Sequence, residues 1–139
     1  MRSLIFPILF VLFLGCGTSV QIEDIAYLNG YWEISEVEFP SGQTKEYAIS
    51  TTIDYMELNG MKGFRKKVQP QLDGSYQTSD DAENFEINEQ DGVVRIFYGQ
   101  GTQQREETLM ELGENSFSVR NMEEKIYRYK RYEPINLAP

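Results

Sequence analysis

The sequence predicts an all-β chain, an antiparallel up-and-down meander of eight to ten short strands that closes into a small barrel. Three observations lead there. Turn signals recur at short intervals, at Pro40-Ser41-Gly42, Asn59-Gly60, Asp73-Gly74, Asp91-Gly92, Gly99-Gln100-Gly101 and Gly113-Glu114-Asn115. The segments between them have strand length and are rich in aromatic and β-branched residues. The body carries no convincing amphipathic helix. Closing such a meander removes the exposed edges that promote aggregation.

The first residues read as an address. In Met1–Gly15, Arg2 is followed by the apolar run Leu4–Leu14. That run is about half of the ~20 residues that a bilayer requires, and it has the proportions of a signal-peptide core. A buried N-terminal helix is the alternative; Pro7 and the abrupt polar turn after Cys16 count against it. Phe13-Leu14-Gly15-Cys16 resembles a bacterial lipobox. The resemblance implies that Cys16 becomes the first mature residue and carries acyl chains. Each buried CH₂ of such a chain adds ~0.8 kcal/mol of membrane affinity. Gly17–Asp24 reads as a polar tether. Ile22–Leu28 has the pattern of one or two helical turns. The expected division is residues 1–15 as signal peptide, 16–27 as lipidated Cys and tether, 28–133 as the barrel domain and 134–139 as a C-terminal tail.

The strands follow. Trp32 and Ile34 share one face, whereas Val37 and Phe39 fall on the other, so a bulge or bend near Ser35-Glu36 is expected. Gln43–Thr52 reads as a long loop or an irregular strand. Phe85 and Ile87 alternate with Asn84, Glu86 and Asn88. Val94, Ile96 and Tyr98 alternate with Arg95 and Phe97. Phe117 and Val119 alternate with Ser116, Ser118 and Arg120. Tyr127, Tyr129 and Arg131 alternate with Ile126, Arg128, Lys130 and Tyr132. A period of two marks half-buried antiparallel strands. Asn-Gly and Asp-Gly suit type I′ hairpins, whose central residues both take positive φ.

Composition narrows the function classes. The chain has 139 residues, 13 Lys+Arg and 22 Asp+Glu, for a net charge of −9. That balance excludes the basic footprint of a nucleic-acid binder. There is no His and one Cys. Ser-His-Asp and Cys-His catalysis, His-ligated zinc and an intrachain disulfide are therefore excluded.

Leu28-Asn29-Gly30-Tyr31-Trp32 contains a Gly-x-Trp that opens the first strand. Ile126–Tyr132 supplies a last strand with basic residues. Together, over Leu28 to Tyr132, they resemble the lipocalin and bacterial lipocalin-like families. The resemblance implies that Trp32 closes one end of the barrel and that Arg131 or Lys130 packs across it. An Arg on an indole face is a favourable cation–π pair. This pairing is structural, not catalytic.

The remaining candidates each have two readings. Tyr55, Phe64, Tyr76, Phe85, Tyr98, Phe117, Tyr127 and Tyr129 could line a ligand cavity, since Tyr offers bulk with one polar handle. They could equally fill a small barrel. Arg65-Lys66-Lys67 is either an exposed strand face or an anion-binding patch. Asp80-Asp81-Ala82-Glu83-Asn84 gathers oxygen ligands without EF-hand spacing, so a solvated loop is favoured over a Ca²⁺ site. No catalytic residue, metal or cofactor is expected. An enzyme would need a cleft carboxyl with a raised pKa and a positioned partner.

The expected protein is a lipid-anchored lipoprotein of the cell envelope, placed at the outer membrane through Cys16. It binds a small apolar or amphipathic ligand in the barrel mouth without catalysis. The alternative is a scaffold, inhibitor or accessory subunit that meets an envelope protein partner through its outer surface.

Overall fold

The computed structural model describes residues 19–48, 50–78, 81–99 and 104–134. The expected signal peptide, Cys16, Asp80 of the acidic loop and most of the Gly99-Gln100-Gly101 turn lie outside them. A 3₁₀ helix, Ile22–Leu28, leads into ten strands. They are β1 (Gly30–Glu38), β2 (Thr44–Glu46), β3 (Ile53–Asn59), β4 (Lys62–Pro70) and β5 (Tyr76–Thr78), then β6 (Glu83–Gln90), β7 (Val93–Tyr98), β8 (Arg105–Leu112), β9 (Ser116–Asn121) and β10 (Ile126–Arg131).

Eight of these form the barrel, in the order β1-β3-β4-β6-β7-β8-β9-β10, and β10 pairs back with β1 to close it. β2 adds to β1, and β5 adds to β4. Every pairing is antiparallel.

The bulge on β1 lies at Ser35. Ile34 faces Tyr129 and Glu36 faces Arg128, so one extra residue enters β1 there. The shift sets Val37 opposite Tyr127, on the face that already carries Trp32 and Ile34. A second bulge at Met110 returns Leu112 to the face of Leu109, opposite Phe117.

The hairpins follow local chemistry. Asp91 and Gly92 both take positive φ (54° and 77°), as a type I′ turn requires. At Asn59-Gly60 the expectation is corrected. Asn59 still pairs with Lys62, so the two turn residues are Gly60 and Met61, and only Gly60 has positive φ. Three connections share a three-residue loop in which the first flanking amide donates to the last flanking carbonyl: Phe39 to Gln43, Gln71 to Ser75 and Asn121 to Lys125. Each needs a left-handed residue at its third loop position. Gly42 and Gly74 supply it twice, and Glu124 does so at φ 64°.

The interior divides along the barrel axis. The end capped by the 3₁₀ helix is apolar. There Ile25 and Leu28 meet Trp32, Met56, Phe85, Ile87, Val94, Ile96, Leu109, Phe117 and Val119. Burying each large side chain contributes roughly 1.5–3 kcal/mol. Tyr98 and Tyr129 top this cluster, and the charged groups described next lie above them.

Candidate functional site

The closed end is a lock built on Trp32. Its Nε1–H donates to the Leu28 carbonyl at 2.8 Å, which fixes the 3₁₀ helix across the barrel. Phe117 meets the indole edge-on at 4.7 Å. The Arg131 guanidinium lies 3.9 Å over the indole ring. It also donates to three backbone carbonyls, Asn29 (2.6 Å), Tyr27 (2.9 Å) and Glu114 (2.7 Å). Lys130 points elsewhere, to Glu33 at 3.0 Å. Gly30 is required here. Its φ is +117°, and a Cβ would lie 2.5 Å from Arg131 Nη1. The Gly of the Gly-x-Trp motif thus makes room for the arginine that covers the Trp.

The open end holds a cavity of about 740 Å³. Its floor is a buried ionic network. Arg65 on β4 is 8% exposed and Asp54 on β3 is 4% exposed. Arg65 Nε donates to Asp54 Oδ1 at 3.2 Å, and its Nη2 lies 3.1 Å from Oδ2. The remaining donors reach the hydroxyls of Tyr98 (3.1 Å) and Tyr129 (2.9 Å). Lys67 adds a second cation to Asp54 at 2.7 Å. Higher up, Arg105 makes a paired contact with Glu83 and stacks on the Tyr98 ring at 4.3 Å.

These contacts set the protonation states. Burial works against ionised Asp54, but Arg65 and then Lys67 outweigh it and hold the carboxyl below its usual value. Burial also opposes the charge on Arg65, and Tyr98, Tyr129 and Asp54 outweigh that in turn. Burial pushes the Tyr98 hydroxyl up to about 12 and raises Tyr129 as well.

Glu107 on β8 differs from its neighbours. It is 8% exposed and lines the cavity. Its nearest cation, Arg65 Nη1, is 3.9 Å away, beyond hydrogen-bond reach. Burial raises its pKa, and the attraction of Arg65 and Arg105 offsets only part of that. A raised cleft carboxyl is one half of an acid–base site. The charged group that faces Glu107 most closely is an arginine, which does not exchange protons at ordinary pH.

Several sequence expectations need correction. Tyr55, Phe64 and Tyr76 do not line the lumen. They stand on the outer wall, where Tyr31 meets Tyr55 at 4.8 Å and stacks on Tyr76 at 4.4 Å, and Tyr55 meets Phe64 at 6.0 Å. The inward positions of β3 and β4 belong to Asp54, Met56, Arg65 and Lys67. Phe85 and Phe117 pack in the apolar end instead of the cavity. Tyr98 does not line the cavity but lies buried beneath Arg65 and Arg105, while Tyr127 and Tyr129 line its wall. Arg65, Lys66 and Lys67 all border the cavity, but they do not form a patch of three free cations. Arg65 and Lys67 are both tied to Asp54, and Lys66 reaches over the rings of Tyr55 and Phe64.

Asp54, Arg105 and Glu107 were missed by the sequence reading, and Glu83 was read only as part of an acidic loop. A signal was available. Each inward carboxylate lies two residues before a buried apolar side chain on the same strand: Asp54 before Met56, Glu83 before Phe85 and Glu107 before Leu109. Among the described residues no group of three carboxylate, Cys or His side chains is gathered to hold a metal ion.

The family model for the lipocalin-like domain matches residues 28–119. The chain belongs to the lipocalin-like domain family. This lipocalin-like chain is also similar to two solved structures. One is a lipocalin-like protein from Bacteroides uniformis, at 9% identity and a TM-score of 0.47, covering 76% of this chain and 99% of that one. The other is an uncharacterized protein from Bacteroides eggerthii, at 14% identity and a TM-score of 0.48, with the same coverage. No curated protein matches the chain. Lipocalin-like barrels are in general non-catalytic and ligand-binding.

Proposed function

We propose that this lipocalin-like protein binds a small molecule in its open-end cavity without transforming it, and that it does so from a lipid anchor at Cys16 in the cell envelope. One observation carries the binding reading: a cavity of about 740 Å³ stands open above a floor that is already fully hydrogen-bonded. That volume lies within the range of small-molecule sites, ~300–1,000 Å³. The floor groups hold one another in place, so the cavity is preorganised. The lining supports a ligand more polar than the small apolar molecule first expected, because Asp54, Arg65, Lys67, Glu83, Arg105 and Glu107 all face it. Tyr127, Tyr129 and Met122 leave one apolar wall. The anchor reading rests on the residues of the leader and on Cys16. Among the described residues, no helix is long and apolar enough to cross a membrane.

The test is native mass spectrometry of the protein purified without denaturant from its own host. A reproducible extra mass that is lost on denaturation supports the reading. A bare mass from a folded sample contradicts it.

A second reading has its own observation. Tyr31, Tyr55, Phe64, Tyr76 and Tyr132 form a run of neighbouring rings on the outer wall, beside the exposed Leu72. In this reading the outer wall meets an envelope protein. Phe64→Ser would then abolish co-purification of that partner and leave the cavity unchanged.

A further inference from the structure

We propose that the ligand is an amphipathic organic cation, an amine whose ammonium group pairs with Glu107 and whose apolar body lies against Tyr127 and Met122. The proposal rests on the cavity being a ligand site and deepens that reading.

Most of the cations at the cavity are already paired. Arg65 places its donors on Asp54, Tyr98 and Tyr129. Lys67 is held by Asp54 at 2.7 Å. Arg105 is taken by both oxygens of Glu83. An incoming anion would have to break one of these pairs and strand a carboxylate behind it, or rely on Lys66 alone, a cation at the rim that reaches over the rings of Tyr55 and Phe64. A cation meets the reverse situation. Two cations share Asp54, which leaves Glu107 buried, facing the cavity, and without a hydrogen bond among the described residues.

A buried carboxyl in this position has unused acceptor capacity. An ammonium group supplies up to three donors at the distance a charge-assisted bond prefers, ~2.7–2.9 Å. The wider lining has the same sign. Six carboxylates and four cations border the cavity, with Asp81, Glu106 and Glu123 among the carboxylates. The whole chain, at −9, attracts cations toward the mouth. Tyr127 offers an aromatic surface that suits either an apolar body or the cation itself.

The experiment is an NMR titration of the full chain with 2-phenylethylamine and with 3-phenylpropionate, its counterpart of opposite charge. The reporters are the backbone amides of Glu107, Tyr127 and Tyr129. The expected result is saturable shifts at those amides with the amine, at least tenfold tighter than with the carboxylate. Glu107→Gln should weaken the amine at least tenfold while the amide pattern elsewhere stays that of the wild type. Lys67→Gln, which removes a cation from the lining and leaves Asp54 with Arg65 alone, should tighten amine binding.

Preference for the carboxylate overturns the proposal but keeps the cavity as a binding site. Unchanged amine affinity in Glu107→Gln overturns it as well. If neither probe moves the cavity amides at millimolar concentration, the proposal fails. The native mass of the host-purified protein then decides separately whether the cavity binds a ligand of other chemistry.

Discussion

Replacing Arg65 by Met tests whether the cavity floor is held by ionic pairing. The substitution keeps most of the side-chain length and removes the guanidinium. Asp54, 4% exposed, is left with Lys67 alone, and the hydroxyls of Tyr98 and Tyr129 lose a charged donor. Breaking a buried pair by removing one partner costs roughly 3–5 kcal/mol. Lys67 remains at 2.7 Å from Asp54 and, although its side chain is 64% exposed and partly screened, it keeps a cation on that carboxylate. The loss should therefore fall near the lower end, about 3 kcal/mol. For a domain of this size that is a drop in Tm of roughly 10–15 °C. Urea unfolding read by the fluorescence of Trp32 is a suitable assay. It is the chain's single Trp and lies at the opposite end of the barrel, so it reports global unfolding. The double variant Asp54→Asn/Arg65→Met should be more stable than Arg65→Met, because it strands no charge. A single variant that loses less than ~1 kcal/mol, or a double variant no better than the single, refutes the reasoning.

Gly30→Ala should lose about 2 kcal/mol or more in the same assay, since a methyl group meets Arg131 Nη1 at 2.5 Å and φ is +117°; a loss under ~0.5 kcal/mol would show that the closed end has slack. Glu107 has a raised pKa in the folded state, so its stability contribution is fully present below the unfolded value of ~4.3 and is lost as pH rises through the folded value. Asp54 has a lowered one, so its contribution is present above ~3.9 and is lost only as pH falls through the folded value. Chemical denaturation should thus show stability rising as pH drops from neutral toward ~4.3, and Glu107→Gln should flatten that rise. Glu124→Gly removes a left-handed non-glycine residue at φ 64° and should stabilise the fold by roughly 0.5–1 kcal/mol; unchanged stability would contradict the strain argument. Cys16→Ser should abolish incorporation of a labelled fatty acid in host cells, and persistent labelling would contradict the anchor.

The fold was more legible in the sequence than the site. Period-two alternation and turn dipeptides are local properties, and they located most of the hairpins. The bulge at Ser35 could be read because Trp32 and Val37 are out of phase, and only an extra residue brings both inward. The turn at Met122–Glu124 left no trace, because a Glu occupies the position where Gly42 and Gly74 stand in the equivalent loops.

The site was harder for a physical reason. Alternation gives two faces but does not say which one is inside. On β3 and β4 the apolar-inward rule selects Tyr55 and Phe64. The barrel instead buries Asp54 and Arg65, because these neutralise each other across the β3–β4 pair and the tyrosine hydroxyls satisfy what remains. The outer faces are free to carry aromatics because rings from β1 and β5 pack beside them. That choice depends on contacts distant in sequence, such as Arg65 with Tyr129, which no local pattern encodes.

The most direct test of the central claim, that the open-end cavity is a ligand site, is a crystal structure of the protein purified from its host without denaturant. The account predicts non-protein density in the cavity, touching Glu107 and Tyr127. Density for ordered water alone, in a sample whose native mass carries an adduct, would place the ligand elsewhere and contradict it.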